Sequence, residues 1–421
     1  MPKKRRKKLI RLPKLNSKTN SEKRYERIGF STGRRKSSRK RTAKRTNIIK
    51  NRIIALVSAA ALFLVVVFVA TSLSHPVGVV EYFKTVFTTG GSGQGYEIDI
   101  EGGKPQYTIS QDDIYFVVND SSVNCYNTNG KIIFERNHSY AKPVVKQSET
   151  RYLLYDQGEP ELTVSTYSDK LYSVKFGHGI ICADISDSGY FAVAAKADGY
   201  DSSVSVYNKK NKKVFEWFSS DETITSVSLL KNGKTLAVST VKVENGNFVS
   251  HVYVFNYKSA TPLMQRAYPD KIIYNLIESK NSGFFVVLDN KIEFLNFRKE
   301  TAMTHESEYS VNLVKQFGDK TIALRSVAAN QDHGIVEIYS RKGKLVSSFE
   351  VDNNITDFSY KSGKLYLLGH SNIFKYNTKG KLLAIADVNY DALFVEVISD
   401  NSIACIRSSV VEKCVLKKAE D

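Results

Sequence analysis

The 421-residue chain has little of what builds disulfide frameworks, metal sites or local catalytic motifs: four cysteines, seven histidines and one tryptophan. Cys125, Cys182, Cys405 and Cys414 are too few for a disulfide framework in a body this size, and none stands in a CxxC or Cys/His spacing that holds zinc. Cys405 and Cys414 can face each other across a hairpin centred near Ser409 and Val410, but unpaired buried cysteines are the simpler expectation. The histidines show no HxH or HExxH spacing, and there is no GxSxG elbow, P-loop or GxGxxG. No catalytic, cofactor-binding or metal-ligating residue is therefore assigned, and no cofactor is expected. A Ser-His-Asp set assembled in space escapes this test. "SDSGYF" at Ser186 resembles half of an Asp box, yet it falls where the other repeats have a tight turn, so Asp187 and Gly189 are read as turn residues.

Acidic residues are nearly missing from positions 1–52, where 22 Lys/Arg face only Glu22 and Glu26. That balance of +20 against a formal total of +18 leaves −2 for the rest of the chain, so the tail and the body need separate explanations. Charge is then absent between Arg52 and His75, and Ile53–Leu73 is a nearly all-apolar run of 21 residues. At helical rise it is about 31 Å long, which spans a bilayer. A cleaved signal peptide, with Ala70-Thr71-Ser72 as its site, is the alternative; the long apolar core and the extended region before it argue against this. Residues 33–52 hold ten Lys/Arg whereas 74–93 hold only Lys84, so the tail is expected in the cytoplasm and the body outside. "KKRRKK" at Lys3 and "GRRKSSRKRTAKR" at Gly33 would suit nucleic acid, but beside an apolar span anionic lipid head groups are the better partner.

The expected organisation is a disordered basic cytoplasmic tail (1–52), a transmembrane helix (53–73), a juxtamembrane amphipathic helix with a Gly-rich tether (74–95), and an extracytoplasmic body (96–418). The helix would carry Val79, Val80, Phe83, Val86 and Phe87 on one face, and "GGSGQG" at 90–95 reads as flexible.

From Tyr96 onward amphipathic helices are absent in their turn, and short strand-like runs alternate with Gly, Asn, Asp, Ser and Lys turns. "VNCYNTNGKII" at Val123 returns as "IFKYNTKGKLL" at Ile373. The same apolar-Asn/Ser step recurs at Tyr126, Tyr167, Tyr207, Phe255, Leu295, Tyr339 and Tyr376, at intervals of 37 to 48 residues. A second phrase, a turn leading into an apolar strand, precedes it, as in "KNGKTLAVST" at Lys231 and "KSGKLYLLGH" at Lys361. Four strands per period of about 40 residues indicate the blades of an all-β propeller. Eight periods are counted, with seven as the alternative. The last has three strands, and "YEIDI" at Tyr96 is the expected fourth, closing the ring. The many Tyr and Phe sit at fixed strand positions and are assigned to packing between blades.

These turn-strand phrases and Gly-Lys hairpins resemble WD-repeat-like and quinoprotein-like propellers. With the basic tail and single apolar run, the chain resembles a domain-of-unknown-function family of Gram-positive, Firmicute-type single-pass membrane proteins with an external propeller. The Trp-Asp dipeptide of true WD repeats is absent, Trp217 leaves no set of tryptophan docking motifs, and the resemblance implies no catalytic residues.

The expected function is a non-enzymatic binding or scaffolding module for an envelope protein or wall polymer, with a channel hydrolase or lyase, or a sensor signalling through the tail, as alternatives. Three links between second and third strands look like long loops: "KADGYDSS" from Lys196, "VKVENGNFVS" from Val241 and "VAANQDHG" from Val327. They place Asp198, Tyr200, Asp201, Glu244, Asn245, Asn247, Phe248, Gln331, Asp332 and His333 on one partner-binding rim, with Tyr200 and Phe248 as apolar anchors.

Overall fold

The repeated phrase is a turn built by one asparagine. Asn127 Oδ1 accepts the backbone N–H of Asn129 (2.9 Å) and of Lys131 (3.0 Å). Gly130 donates its N–H to the Asn127 carbonyl at 3.1 Å and adopts φ +72°, which favours glycine. The result is a three-residue hairpin link with one bulged position, and the strand register shifts accordingly between Cys125 and Tyr126. Asn377 and Gly380 repeat it, with Lys379 and Lys381 donating to Asn377 Oδ1. In "YNKKNK" at Tyr207, Asn211 takes φ +59° where the others have glycine, a conformation that asparagine tolerates.

The computed structural model describes residues 36–74, 77–279, 282–327, 330–352 and 354–419. The chain divides into a unit of residues 1–67 and a unit of residues 68–421 that contains the propeller. Eight antiparallel sheets follow one another, blade 1 at 105–137, blade 2 at 143–175, blade 3 at 180–219, blade 4 at 223–269, blade 5 at 275–306, blade 6 at 310–351, blade 7 at 357–387 and blade 8 at 394–415. Blade 8 supplies three strands of its own, and the fourth is Ile98–Asp99, with Ile98 opposite Val411 and Asp99 opposite Val410. The "YEIDI" strand thus closes the ring, and the count is eight. Lys417–Lys418 then adds a fifth strand to blade 7, an addition the sequence pattern did not announce.

A lone blade would leave both faces of its sheet wet, and the core shows how this is avoided. Eight buried apolar clusters each join two consecutive blades, from Phe116, Cys125, Tyr152 and Tyr167 between blades 1 and 2 to Val395, Cys405 and Cys414 packed on Tyr366 between blades 7 and 8. The closing cluster sets Ile98, Ile100, Ile406 and Val411 against Tyr115, Val117 and Tyr126. Each such side chain contributes about 1.5–3 kcal/mol on burial. The aromatics pack between blades as their periodic placement requires; Phe116, for example, lies 5.2 Å from Tyr152 and 6.1 Å from Tyr167, centroid to centroid.

Strand order gives the propeller two faces. The turn face carries the links between first and second and between third and fourth strands; the hairpin face carries the second-to-third links and the crossings to the next blade.

Several expectations change. Helix α1, Lys36–Ser74, starts well before the apolar run, so positions 36–52 are helical and only 1–35 of the expected disordered tail lie outside the described residues. A helix nucleated in an apolar segment extends readily through Lys and Arg, which are good helix formers. Ile49–Ala70 within it is long and apolar enough to cross a membrane or to act as a signal sequence. Helix α2, Val79–Thr89, forms as expected but buries Val79 and Thr85 against the body, so Val79 leaves the expected apolar face, while Val80 and Phe87 are 80% and 81% exposed. The glycine tether is held rather than free, because Asn127 Nδ2 donates to the carbonyls of Thr89 (2.7 Å) and Gly91 (3.0 Å). Cys405 lies opposite Glu412, not Cys414, since the hairpin turns one residue earlier than expected; all four cysteines are free.

Candidate binding faces and axial cavity

The three presumed long loops of the hairpin face are paired strands. Residues Thr235–Glu244 and Asn247–Asn256 stay in register to Glu244 opposite Asn247, leaving Asn245 and Gly246 at φ +52° and +85° as a two-residue turn. That is the turn Asn-Gly favours, because both positions need positive φ. Blade 3 also turns within two residues, Asp198 and Gly199, of which only Gly199 has positive φ, and the second and third strands of blade 6 run to Val327 and from Asn330. The candidate residues are therefore carried on projecting hairpins, stiffer than free loops.

Blades 3 and 4 bring part of the candidate set together. Tyr200 packs against Phe218 with centroids 4.8 Å apart and the rings tilted by 36°, and both are exposed. On the neighbouring hairpin Phe248 is 52% exposed and lies opposite the exposed Val243. The crossing to blade 5 is tied beneath them, the Asp270 N–H donating to the Phe248 carbonyl at 2.8 Å and Ser250 Oγ to the Lys271 carbonyl at 2.7 Å. It adds the exposed Ile272 and Tyr274. Phe218, Val243, Ile272 and Tyr274 were not among the sequence candidates; "KVFEWF", "VKVENG" and "DKIIYN" contain them, but an outward apolar residue is indistinguishable from a core one by periodicity alone.

Acidic groups rim this apolar patch. Asp198 lies 3.2 Å from His178, and Asp201 sits beside Tyr200 on the third strand of blade 3. Glu244 lies 3.9 Å from Lys242, which also approaches Asp221 at 3.7 Å. Under the hairpin, buried Glu222 accepts from Thr240 and from Tyr253 (3.1 Å) and faces His251 at 2.9 Å, a cluster that fixes the hairpin base. His333 is in blade 6, two blades from Phe248, where its Nδ1 lies 2.7 Å from Asp352. It is not part of the patch. Gln331 and Asp332 fall in the same strand as His333, with side chains outside the described ones.

An axial cavity of about 1030 Å³ opens on the turn side, lined by the ends of the eight first strands. It is charged, with Lys146, Lys231 and Lys315 among Asp184, Asp187 and Glu396. Burial pushes the Glu396 carboxyl up to about 7, partly opposed by Lys315 and reinforced by Asp357; burial also raises Asp184, opposed by Lys146. These carboxylates join blades. Asp184 accepts the Leu229 N–H at 2.7 Å, Asp187 accepts the Glu149 N–H at 3.0 Å and meets Lys231 at 3.0 Å, and Ser359 donates to Glu396 at 3.2 Å. Asp357 accepts the Val395 N–H at 3.0 Å and pairs with Lys315 at 2.6 Å. Among the described residues no histidine lines the cavity.

One further group, Cys405, Glu412 and Cys414, brings three donor atoms within 4.8 Å of one another in blade 8. Its donors have local partners: the Cys405 thiol hydrogen-bonds Cys414, holding the Cys414 thiol below its usual range, and Arg407 pairs with Glu412 at 3.2 Å.

Eight blades, seven of four strands and one of five, closed into a ring define a β-propeller. Within that class the chain belongs to DUF5711, a family of unknown function whose model matches residues 90–414. Several solved structures resemble the chain at low identity, two of them with TM-scores above 0.5. The Saccharomyces cerevisiae Sqt1 structure has 10% identity and a TM-score of 0.53, covering 79% of this chain and 100% of that one. The C-terminal WD40 domain of Sif2 has 14% and 0.52, covering 78% and 100%. BamB from Moraxella catarrhalis has 11% and 0.47, covering 76% and 99%. No curated protein matches.

Proposed function

We propose that this chain is a membrane-anchored binding module whose propeller stands outside the membrane and captures a protein through the hairpin face of blades 3–5. One observation carries the reading: two exposed apolar pairs, Tyr200 with Phe218 and Phe248 opposite Val243, stand on adjacent hairpins that Lys242 and Asp221 link at 3.7 Å, with Ile272 and Tyr274 exposed on the tied crossing. Aromatic anchors surrounded by polar groups are the composition of interface centres, and paired strands bind with less ordering cost than loops. Asp198, Asp201, Glu244 and Asp270 around the patch suit a partner with a basic rim. The anchoring rests on the apolar Ile49–Ala70, and the orientation on the basic excess before it.

The enzyme reading gains little from the axial cavity. Asp184 and Asp187 accept backbone N–H groups of neighbouring blades and Asp187 also meets Lys231, which is what a closed ring needs for its own stability. A non-enzymatic role follows from this reading.

The test is capture by crosslinking in intact cells, comparing the native chain with Tyr200→Ala/Phe248→Ala and with Asp184→Asn. Loss of the captured protein in the double variant and its retention in Asp184→Asn is the expected result. Capture that survives the double variant, or that Asp184→Asn alone abolishes, would overturn the assignment. A wall polymer rather than a protein in the crosslinked product would overturn the partner class.

A further inference from the structure

Helix α2 is mounted on the turn face with Val79 buried and the rest of its apolar residues turned outward. Glu81 receives Arg151 through Nε (2.6 Å) and Nη2 (2.8 Å) and Thr150 Oγ1 at 3.0 Å. Lys84 pairs with Asp169 at 2.5 Å. Lys131 donates to the carbonyls of Thr88 (2.6 Å) and Gly90 (2.9 Å), and Lys209 to that of Val77 (3.4 Å). Positions 81, 84, 85 and 88 thus face the propeller, so 80, 83 and 87 face away. Val80, Phe83, Val86 and Phe87 are 80%, 37%, 43% and 81% exposed, an arrangement that water alone would not favour.

The same face of the propeller is basic. The third-to-fourth turns "NTNGK" at 127, "NKKNKK" at 208, "NFRKE" at 296, "SRKGK" at 340 and "NTKGK" at 377 carry twelve Lys/Arg against Glu300, an excess that outweighs Asp169 and the first-to-second turns of the same face, where Asp112, Asp113, Glu149, Asp187, Asp319 and Asp400 meet Lys231 and Lys234. Since the chain beyond the tail sums to −2, this is segregation of charge, not surplus. The acidic patch described above occupies the opposite face.

We infer that the turn face docks on an anionic phospholipid bilayer, with α2 lying in the interface, its apolar side among the acyl chains and the lysine turns over the head groups. An apolar helix side flanked by cations is the pattern that binds in the plane of such a surface, whereas a nucleic acid would leave Val80 and Phe87 uncovered. Four residues, 75–78, separate α2 from the end of α1, a reach of at most about 14 Å. The hairpin face and its aromatic patch then point away from the membrane. This rests on the reading of Ile49–Ala70 as a membrane span.

The experiment uses the full chain reconstituted in vesicles of phosphatidylglycerol and phosphatidylcholine, with an environment-sensitive fluorophore on Phe87→Cys or on Phe248→Cys and the unsubstituted chain as labelling background. Brominated acyl chains should quench the probe at 87 several-fold more than aqueous iodide does, and the order should reverse at 248. A probe at 87 that iodide quenches and brominated lipid does not, in a chain that resists carbonate extraction, overturns the docking while leaving the anchor intact. Release of the chain by carbonate overturns the anchor and the docking with it. If the probe is shielded from both quenchers in native membranes, a protein covers α2 and the lipid assignment is wrong.

Discussion

Ring closure by the N-terminal strand can be tested with two substitutions, Ile98→Ala and Ile100→Ala combined. Ile98 and Ile100 retain only 6% and 8% of their accessible surface and pack on Tyr115, Ala404 and Val411. Buried Ile→Ala changes cost about 2–5 kcal/mol each, and because these two share a cluster their sum is better taken as about 4–8 kcal/mol. In a domain of this size 1 kcal/mol moves the melting midpoint by roughly 2 °C, so a fall of about 8–15 °C is expected. Trp217, packed 5.2 Å from both Tyr253 and Phe255, reports unfolding by fluorescence in detergent or nanodiscs. Ile132→Ala, at a strand position left 46% exposed, is the control and should shift the midpoint by no more than about 1 °C. An unchanged midpoint in the double variant would mean that this strand does not close blade 8.

Glu396 gives a pH signature: its folded value of about 7 lies above the 4.5 of an ordinary glutamate, so between these values the folded chain holds a proton that the unfolded chain releases. Stability therefore falls as pH rises through that window, by about 3 kcal/mol in all, and Glu396→Gln should melt higher than the native chain at pH 8 and nearly equal to it at pH 4.5; parallel curves would refute this. Gly343 has φ +78°, and a Cβ there would sit 2.2 Å from the Cβ of Phe294 in the preceding blade, so Gly343→Ala should cost about 2–4 kcal/mol in a denaturant melt. Glu81→Ala would leave the Arg151 side chain, 7% exposed, without its carboxylate; added protease should then cut at 90–95 faster than in the native chain, and equal rates would show that the pair does not hold α2.

What the sequence disclosed was whatever is local and repeated. Asn127 and Gly130 form a turn from their own neighbours, so the phrase could be followed from blade to blade, and "YEIDI" announced itself as the strand that a three-stranded last repeat lacked. The hairpin at Asn245-Gly246 was equally local, and reading it as a loop overlooked an Asn-Gly turn between alternating strands. Other features depend on distant partners. Nothing in "VVEYFKTVFTT" tells which side of the helix meets protein, because Arg151 and Asp169 lie 70 and 85 residues from Glu81 and Lys84. The apolar side of α2 was visible, but not that it faces outward. The aromatic patch joins residues 200 to 274 of three blades, and the separation of His333 from it follows from blade order in space.

The central claim is that the hairpin face of blades 3–5 receives a protein. A photoreactive amino acid at Phe248 in living cells should yield one crosslinked protein of defined mass, while the same group at Lys379 on the turn face should not. Equal crosslinking from both positions, or none from Phe248, would contradict the account.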